Sequence, residues 1–301
     1  SIRRQRQMCI RDRHMNVKDR HAYLIIAHEK EELLRELIRQ LDHVDNDIYI
    51  HIDKKAPFDG SSYKTKFSAL RILEERIDAR WGDYSLVEVE LLLFRFASSH
   101  GAYSYYHLLS GVDMPIKSQE YIHKFCKENY GKEFIGYANI SQEELRYRSS
   151  HIFLFSRLLK SRNLLIRSIR FLFIKIQDLI GYDRNKDCVI MKGSQWCSLT
   201  DNFVSYLLDH QEDVERMFKR TFCPDEMFIH TICWNSTFKD KIYNSNVEEE
   251  FDGCKRYINW VNGELLPITK DDIEVLNKSN GWFARKFMTI DEAISITNKV
   301  I

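Results

Sequence analysis

The residues with the clearest chemical potential are Cys223-Pro224-Asp225-Glu226-Met227-Phe228-Ile229-His230. Proline suits the first position of a helix, and two carboxylates in the first turn suit the helix dipole. Locally this is helix-start chemistry. Its setting adds more: Lys192-Gly193-Ser194-Gln195-Trp196 lies about thirty residues earlier and Trp282-Phe283-Ala284-Arg285-Lys286-Phe287 about sixty later. The expectation is one carboxylate acting as a base, with aromatic walls and a basic clamp brought to it from both sides. Other chemistries lack their residues. The cysteines form no C-x-x-C pair and no zinc spacing. Neither G-x-G-x-x-G nor a P-loop occurs, so side chains must hold any nucleotide.

The elements that position these residues belong to an ordinary globular chain of 301 residues, 44% hydrophobic and 30% charged. A net charge of +1, and no basic stripe interleaved with aromatics, predict no nucleic-acid partner. Seven scattered cysteines read as buried thiols of a reducing compartment. No apolar run approaches the roughly 18 residues of a membrane span. Residues 1–14 have no apolar periodicity and read as an extraneous segment, or else a basic arm, with Met15 as a start and residues 15–301 as a single domain.

Residues 21–28 form a nearly continuous apolar run, the mark of a strand buried on both faces. Leu33, Leu34, Leu37, Ile38 and Leu41 follow at helical spacing, and residues 47–53 alternate as a second strand. This β-α-β opening predicts a parallel sheet with ligand chemistry at its carboxyl ends, where His28 and Asp53 stand. A third strand is expected near residues 76–80, then a helix over 85–96 with Ser85 as N-cap and Glu88 completing a capping box. Strands over 104–110 and 133–137 with a helix at 118–128 between them continue an α/β pattern. Further on, the spacing predicts two short strands around Gly193, helices over 200–210 and 211–220, a strand at 256–260, a helix at 270–278, an extended segment at 282–287 and a closing helix at 291–300. Residues 151–180 are rich in Leu, Ile and Phe and carry Arg157, Lys160, Arg162, Arg167, Arg170 and Lys175. They read as amphipathic basic helices, either on a membrane surface or, the favoured reading, facing the core with solvated cations.

Eight stretches together carry a family resemblance: residues 22–28, His51-Ile52-Asp53-Lys54-Lys55, Arg80-Trp81-Gly82, residues 109–117, Gly193-Ser194-Gln195-Trp196, Pro224-Asp225-Glu226, residues 256–260 and Phe283-Ala284-Arg285-Lys286-Phe287. In this order they resemble the core-2/I-branching β-1,6-N-acetylglucosaminyltransferases and the related peptide O-xylosyltransferases. The resemblance implies a GT-A type α/β fold, a mostly parallel central sheet flanked by helices, and an inverting reaction on a UDP-sugar without a metal cofactor. The only D-x-D is Asp45-Asn46-Asp47, before the second strand and so at the wrong end of the sheet to hold a metal on a diphosphate.

Residue by residue, the resemblance implies Glu226 as general base and Lys286 on the diphosphate, with Asp225 bracing the turn. The family's arginine partner falls in a segment between Trp260 and Lys270 that holds no arginine here, and Arg285 or Arg256 is left to substitute. Ala27, His28, Glu29, Asp53, Lys54, Lys55 and Trp81 match nucleotide-binding positions, Asp53 being either a ribose acceptor or a capping carboxylate. Trp196, Trp260 and Arg148 fall to the acceptor side, the two indoles being expected to exclude water around Glu226. Asp113 serves either sugar binding or the turn before Pro115. The chain resembles a bacterial, cytoplasmic member whose partners are a UDP-sugar and a glycan or lipid-linked glycan acceptor, with peripheral contact at the inner face of the membrane. The alternatives are a metal-dependent GT-A enzyme and a non-catalytic carbohydrate- or nucleotide-binding module.

Overall fold

The computed structural model describes residues 19–158 and 161–301. The expectations for residues 1–14 and for Met15 lie outside the described residues.

The chain opens as its periodicity predicts. Strand β1, His21–Ala27, leads through helix α1, Glu31–Leu41, to β2, Asn46–Ile52, parallel to β1. Both strands are buried along their whole length. Their side chains split with period two: Ala22, Leu24 and Ile26 face one apolar cluster, and Tyr23, Ile25 and Ala27 face another on the opposite side of the sheet. Completed by β3, Ala69–Ile72, by β4, Tyr105–Ser110, and by β6, Ser198–Thr200, the sheet runs β3-β2-β1-β4-β6. The first four strands are parallel and β6 is antiparallel to β4. The fold is therefore α/β with a mostly parallel sheet.

Helix α2, Ser85–His100, covers one face together with α6, Asp201–Asp209, α7, Gln211–Phe218, and α8, Phe228–Trp234. The other face is covered by α1, by α3, Gln119–Glu128, and by the closing helix α11, Ile290–Val300. Beside them a small sheet runs β5-β10-β7, where β5 is Met114–Pro115, β7 is Arg256–Ile258 and β10 is Phe283–Arg285. Trp260–Val261 (β8) and Glu264–Leu265 (β9) form a separate hairpin. The short helices α4, Gln142–Ser150, α9, Glu250–Gly253, and α10, Ile273–Lys278, lie between these units, together with α5, Leu164–Leu179.

Several expectations need correction. The third strand is Ala69–Ile72, while residues 76–80 form an extended loop whose donors go to side chains and loop carbonyls instead of a ladder. Arg76 donates to the carbonyls of Ile52, Asp53 and Ala56, and Ile77 N–H donates to His51 Nε2. Ser85 is the first residue of α2 rather than its cap, and its hydroxyl accepts from Arg80 N–H at 3.0 Å. Residues 133–137 make only isolated bridges, through Glu133 and Phe134, and of the two strands expected around Gly193 only Ser198–Thr200 forms. The favoured core-facing reading of residues 151–180 also fails. Within α5 only Ile174 and Gln177 are buried, while Leu165, Leu172 and Leu179 stand in solvent.

Candidate active site

The register of the parallel strands sets the first half of the site. Ala27 is level with Ile52, and Ile26 with Ser110, so β1, β2 and β4 end in one row. The order reverses between β1 and β4, the place where an open parallel sheet leaves a crevice at its carboxyl edge. Ala27, His28, Glu29, Asp53, Lys54, Lys55 and Asp113 all lie at this edge or directly beyond it. His28 and Glu29 are exposed, with His28 Nε2 3.6 Å from the Glu29 carboxylate. Asp53 is only 2% exposed; its oxygens accept from Lys55 N–H at 2.7 Å and Ala79 N–H at 3.0 Å. It is a capping carboxylate that straps the loop over 76–80 across the end of β2. Lys55 reaches Asp78 at 2.6 Å, and Arg80 and Arg157 hold the same carboxylate.

At the end of β4, Asp113 folds back on its own turn and accepts from Ser110 N–H at 2.9 Å and Ser110 Oγ at 3.0 Å. Its outer face meets the Arg285 guanidinium, with Nε 3.5 Å from Oδ1. Of the two roles left open for Asp113, the turn is the one these hydrogen bonds serve. The guanidinium also lies 4.0 Å from the centre of the Trp196 ring. Burial lowers the Arg285 pKa and Asp113 opposes that shift, so the paired carboxylate helps keep a buried cation charged. Lys286 follows on β10's exit, its backbone clamped by Ile268 N–H donating to its carbonyl at 2.9 Å. Among the described residues its ammonium has no carboxylate partner.

Arg256 does not join this clamp. It is fully buried and donates to the carbonyls of Cys254, Leu108 and Cys197 and to Ser198 Oγ. Its guanidinium ties β7 to β4 and β6 through the core, which removes it as a partner for a phosphate.

Glu226 occupies the second half. Pro224–Glu226 forms a 3-10 turn ahead of α8, with Pro at its start as expected. Cys223 N–H donates to Gly82 O at 3.1 Å, which seats the turn beside Trp81. Trp81 is 51% exposed and meets Phe222 edge-on at 5.8 Å, as an accessible ring and not a core residue. The Glu226 side chain is one-third exposed, and its Oε2 lies 3.0 Å from Arg148 Nη1 and 3.2 Å from Lys192 Nζ. Arg148, expected on the acceptor side, comes from α4 to hold this carboxylate, and it also bonds Glu144 and lies over Phe222. Lys192 opens the Lys192–Trp196 stretch set beside Glu226 by sequence, which gave it no role of its own. Trp196 lies under Arg285, and Trp260 stands on β8, 56% exposed, so neither indole is the group found against Glu226.

Behind Glu226 lies a buried acidic pair. Asp225 is pushed up to about 7, first by burial and then by the adjacent Glu226. Glu90, fully buried on α2, is raised well above the carboxylate range by burial and then by Asp225; Gln195 donates to it at 2.8 Å. Asp225 lies buried within the turn, and its Oδ1 makes no hydrogen bond among the described residues.

The segment 192–196 joins the two halves. Gly193 N–H donates to Glu226 O at 2.9 Å, placing Lys192 on the carboxylate, while three residues on Trp196 supports Arg285. A Cβ on Gly193 would lie 1.8 Å from Gly136 O, so only glycine permits this crossing. For a metal, Asp53, Asp78, Asp113 and Glu226 are already engaged by cations or backbone. Among the described residues, His21, His107 and Cys126 have ligand spacing, but they lie buried toward the amino end of the sheet. There His107 bonds His21 at 3.0 Å and Ser198 at 2.8 Å, as a satisfied core network. Asp47 of the D-x-D run is likewise held by Arg20 and Tyr103.

Comparison with known proteins gives the chain a family. The model of the family described as Core-2/I-Branching enzyme matches residues 21–280. Curated relatives include Xylosyltransferase 2 of Rattus norvegicus, 23% identical over 287 residues, covering 88% of this chain and 32% of the relative. Xylosyltransferase 2 of Homo sapiens is 24% identical over 286 residues, covering 88% and 31%. Xylosyltransferase oxt of Drosophila melanogaster is 23% identical over 278 residues, covering 84% and 30%. The chain spans about a third of the length of the curated relatives it matches.

Proposed function

The chain belongs to the Core-2/I-Branching enzyme family, and on that premise we propose that it is an inverting glycosyltransferase. It moves a sugar, GlcNAc or xylose, from a UDP-sugar to a hydroxyl of a glycan acceptor. The observation that carries this reading is the linkage of a half-open carboxylate, Glu226, to a cationic corner, Arg285 and Lys286, through the single segment 192–196.

In the proposed reaction the acceptor hydroxyl attacks the anomeric carbon from the face opposite the diphosphate. Its proton passes to Glu226, the new C–O bond forms, and the bond to the phosphate oxygen breaks with its electron pair leaving on UDP. One base suffices for this single displacement. Arg148 and Lys192 share Oε2; Oε1 makes no hydrogen bond among the described residues and is the oxygen assigned to the proton. Lys286 and Arg285 meet the charge that develops on UDP, a role that fixed cations fill without reorganising. The uridine is assigned to the edge formed by residues 27–29 and 53–55, and the exposed Trp81 and Trp260 rings are surfaces on which a base or sugar face can pack.

We assign no metal to this reaction, on the ground that Asp47 and Asp113 are both engaged by arginines. The test is a panel of UDP-sugars scored by UDP release, with and without simple sugar acceptors. Turnover of UDP-GlcNAc or UDP-xylose is expected; preference for a non-uridine nucleotide overturns the reading.

A further inference from the structure

Helices α4 and α5 border a groove of about 810 Å3, a volume in the range of small-ligand sites. Helix α4 lines it with Arg146 and Tyr147, and α5 with Arg167, Arg170, Phe171 and Lys175. Part of this charge is engaged within the protein. Arg146 approaches Asp183 at 3.8 Å, and Asp178 is held by His151 at 2.9 Å and by Lys175 at 3.4 Å. Arg167 and Arg170 pair with no carboxylate among the described residues, and one Nη of Arg170 is buried without a hydrogen-bond partner. The two stand three residues apart on one face of α5, a spacing at which like charges repel. A half-buried guanidinium that lacks a counter-charge is costly, and an anion in the groove would offset that cost.

The other groups in the groove indicate which anion. Glu143 and Asp178 line it as well, together with the Ser168 hydroxyl. These carboxylates would repel a bare phosphate, but they accept hydrogen bonds from hydroxyl groups. Tyr147 and Phe171 are 47% and 65% exposed and offer ring faces on which a sugar can pack. Planar guanidinium groups match carboxylates in two-point hydrogen bonds. Cations, hydroxyl acceptors and open aromatic faces in one groove together fit a sugar chain that carries carboxylates.

We propose that the groove between α4 and α5 binds an acidic oligosaccharide, with sugar carboxylates on Arg167 and Arg170 and sugar faces on Tyr147 and Phe171. The groove adjoins the candidate active site through α4: Tyr147 lines the groove, and the next residue, Arg148, holds Glu226. The bound chain would then be the distal part of an acceptor whose reacting hydroxyl meets Glu226; this consequence, unlike the binding itself, rests on the transferase reading.

The test is calorimetric titration of the full chain with a linear tetramer of galacturonic acid, with neutral maltotetraose, with a tetraglutamate peptide and with inorganic phosphate. The galacturonate tetramer is expected to bind at least about tenfold more tightly than each of the other three, and more weakly as salt is raised. R167Q with R170Q should lose at least about tenfold in that affinity at the wild-type melting temperature. Arg167 is exposed, so R167Q alone keeps the fold in any case, and it should lose about threefold or more. A galacturonate tetramer that binds no better than maltotetraose, or equally well to R167Q, overturns the proposal. So does tetraglutamate or phosphate binding as tightly as the saccharide, because the groove then reads charge alone. Titration is read without turnover, so a chain that binds the tetramer as expected but transfers no sugar defeats the transferase reading and leaves the groove site standing.

Discussion

Arg148 Nη1 lies 3.0 Å from Glu226 Oε2, joining a helix to a 3-10 turn 78 residues away in sequence. Lys192 approaches the same oxygen at 3.2 Å. Two cations on one oxygen fix how the carboxylate points and leave the other oxygen for an acceptor. On the proposed reaction Arg148 is therefore a positioning residue for the base, which separates its expected variant from that of Glu226.

Glu226→Gln keeps the shape and removes the base. UDP release in the presence of acceptor is expected to fall at least about a hundredfold, while UDP affinity by calorimetry stays at the wild-type value. Arg148→Met should lower kcat less than Glu226→Gln does. Near-normal turnover by the glutamine variant would move the base elsewhere.

Asp225 gives a pH dependence of known sign. Burial, and then Glu226, raise its folded pKa to about 7 against an ordinary 3.8. Between those values the folded state holds a proton that the unfolded chain has released, so stability falls as pH rises through that window. Asp225→Asn removes the penalty. It should gain up to roughly 4 kcal/mol over the wild type at about pH 8 and almost nothing near pH 4, read from urea unfolding. A difference that does not change with pH contradicts the assignment.

Arg256 and Lys286 should separate fold from function. Arg256→Met withdraws the guanidinium donor from the buried carbonyls of Leu108, Cys197 and Cys254, the second of which keeps its bond from Leu108 N–H, and is expected to cost about 3 kcal/mol or more. Lys286→Met should melt with the wild type yet lose about tenfold or more in kcat/KM for the UDP-sugar. A melting loss for Lys286→Met as large as that for Arg256→Met would refute this division.

Gly193→Ala forces a methyl group to within 1.8 Å of Gly136 O. The two backbones must part, at a cost expected to exceed about 2 kcal/mol, and Lys192 and Trp196 move with them. Thermal melting and UDP-sugar hydrolysis should both decline; a variant normal in both shows that the crossing is looser than described.

Chelation should have no effect. In excess EDTA, UDP release is expected to continue at the untreated rate, because in the proposed reaction Arg285 and Lys286 take the part a metal plays elsewhere. Loss of activity that added manganese restores would favour the metal-dependent alternative.

The sequence by itself determined the β-α-β opening, the two-sided burial of β1 and β2, the placement of His28 and Asp53 beyond strand ends, and the family. Those features follow from local periodicity and from motifs a few residues long. It placed a third strand at residues 76–80 because nothing local reveals that Arg76 and His51 take over the hydrogen bonding there. The alternation of residues 256–260 did show a strand at 256–258, yet not that the Arg256 guanidinium would be used up on core carbonyls. The pairing of Lys192 with Glu226 was hidden for the same reason: an ion pair depends on separation in space, which packing sets, and not on spacing along the chain. Helix α5 is the sharpest case. Its period correctly marks an apolar face, but whether that face turns toward the core or toward solvent is decided only by what the rest of the chain leaves uncovered.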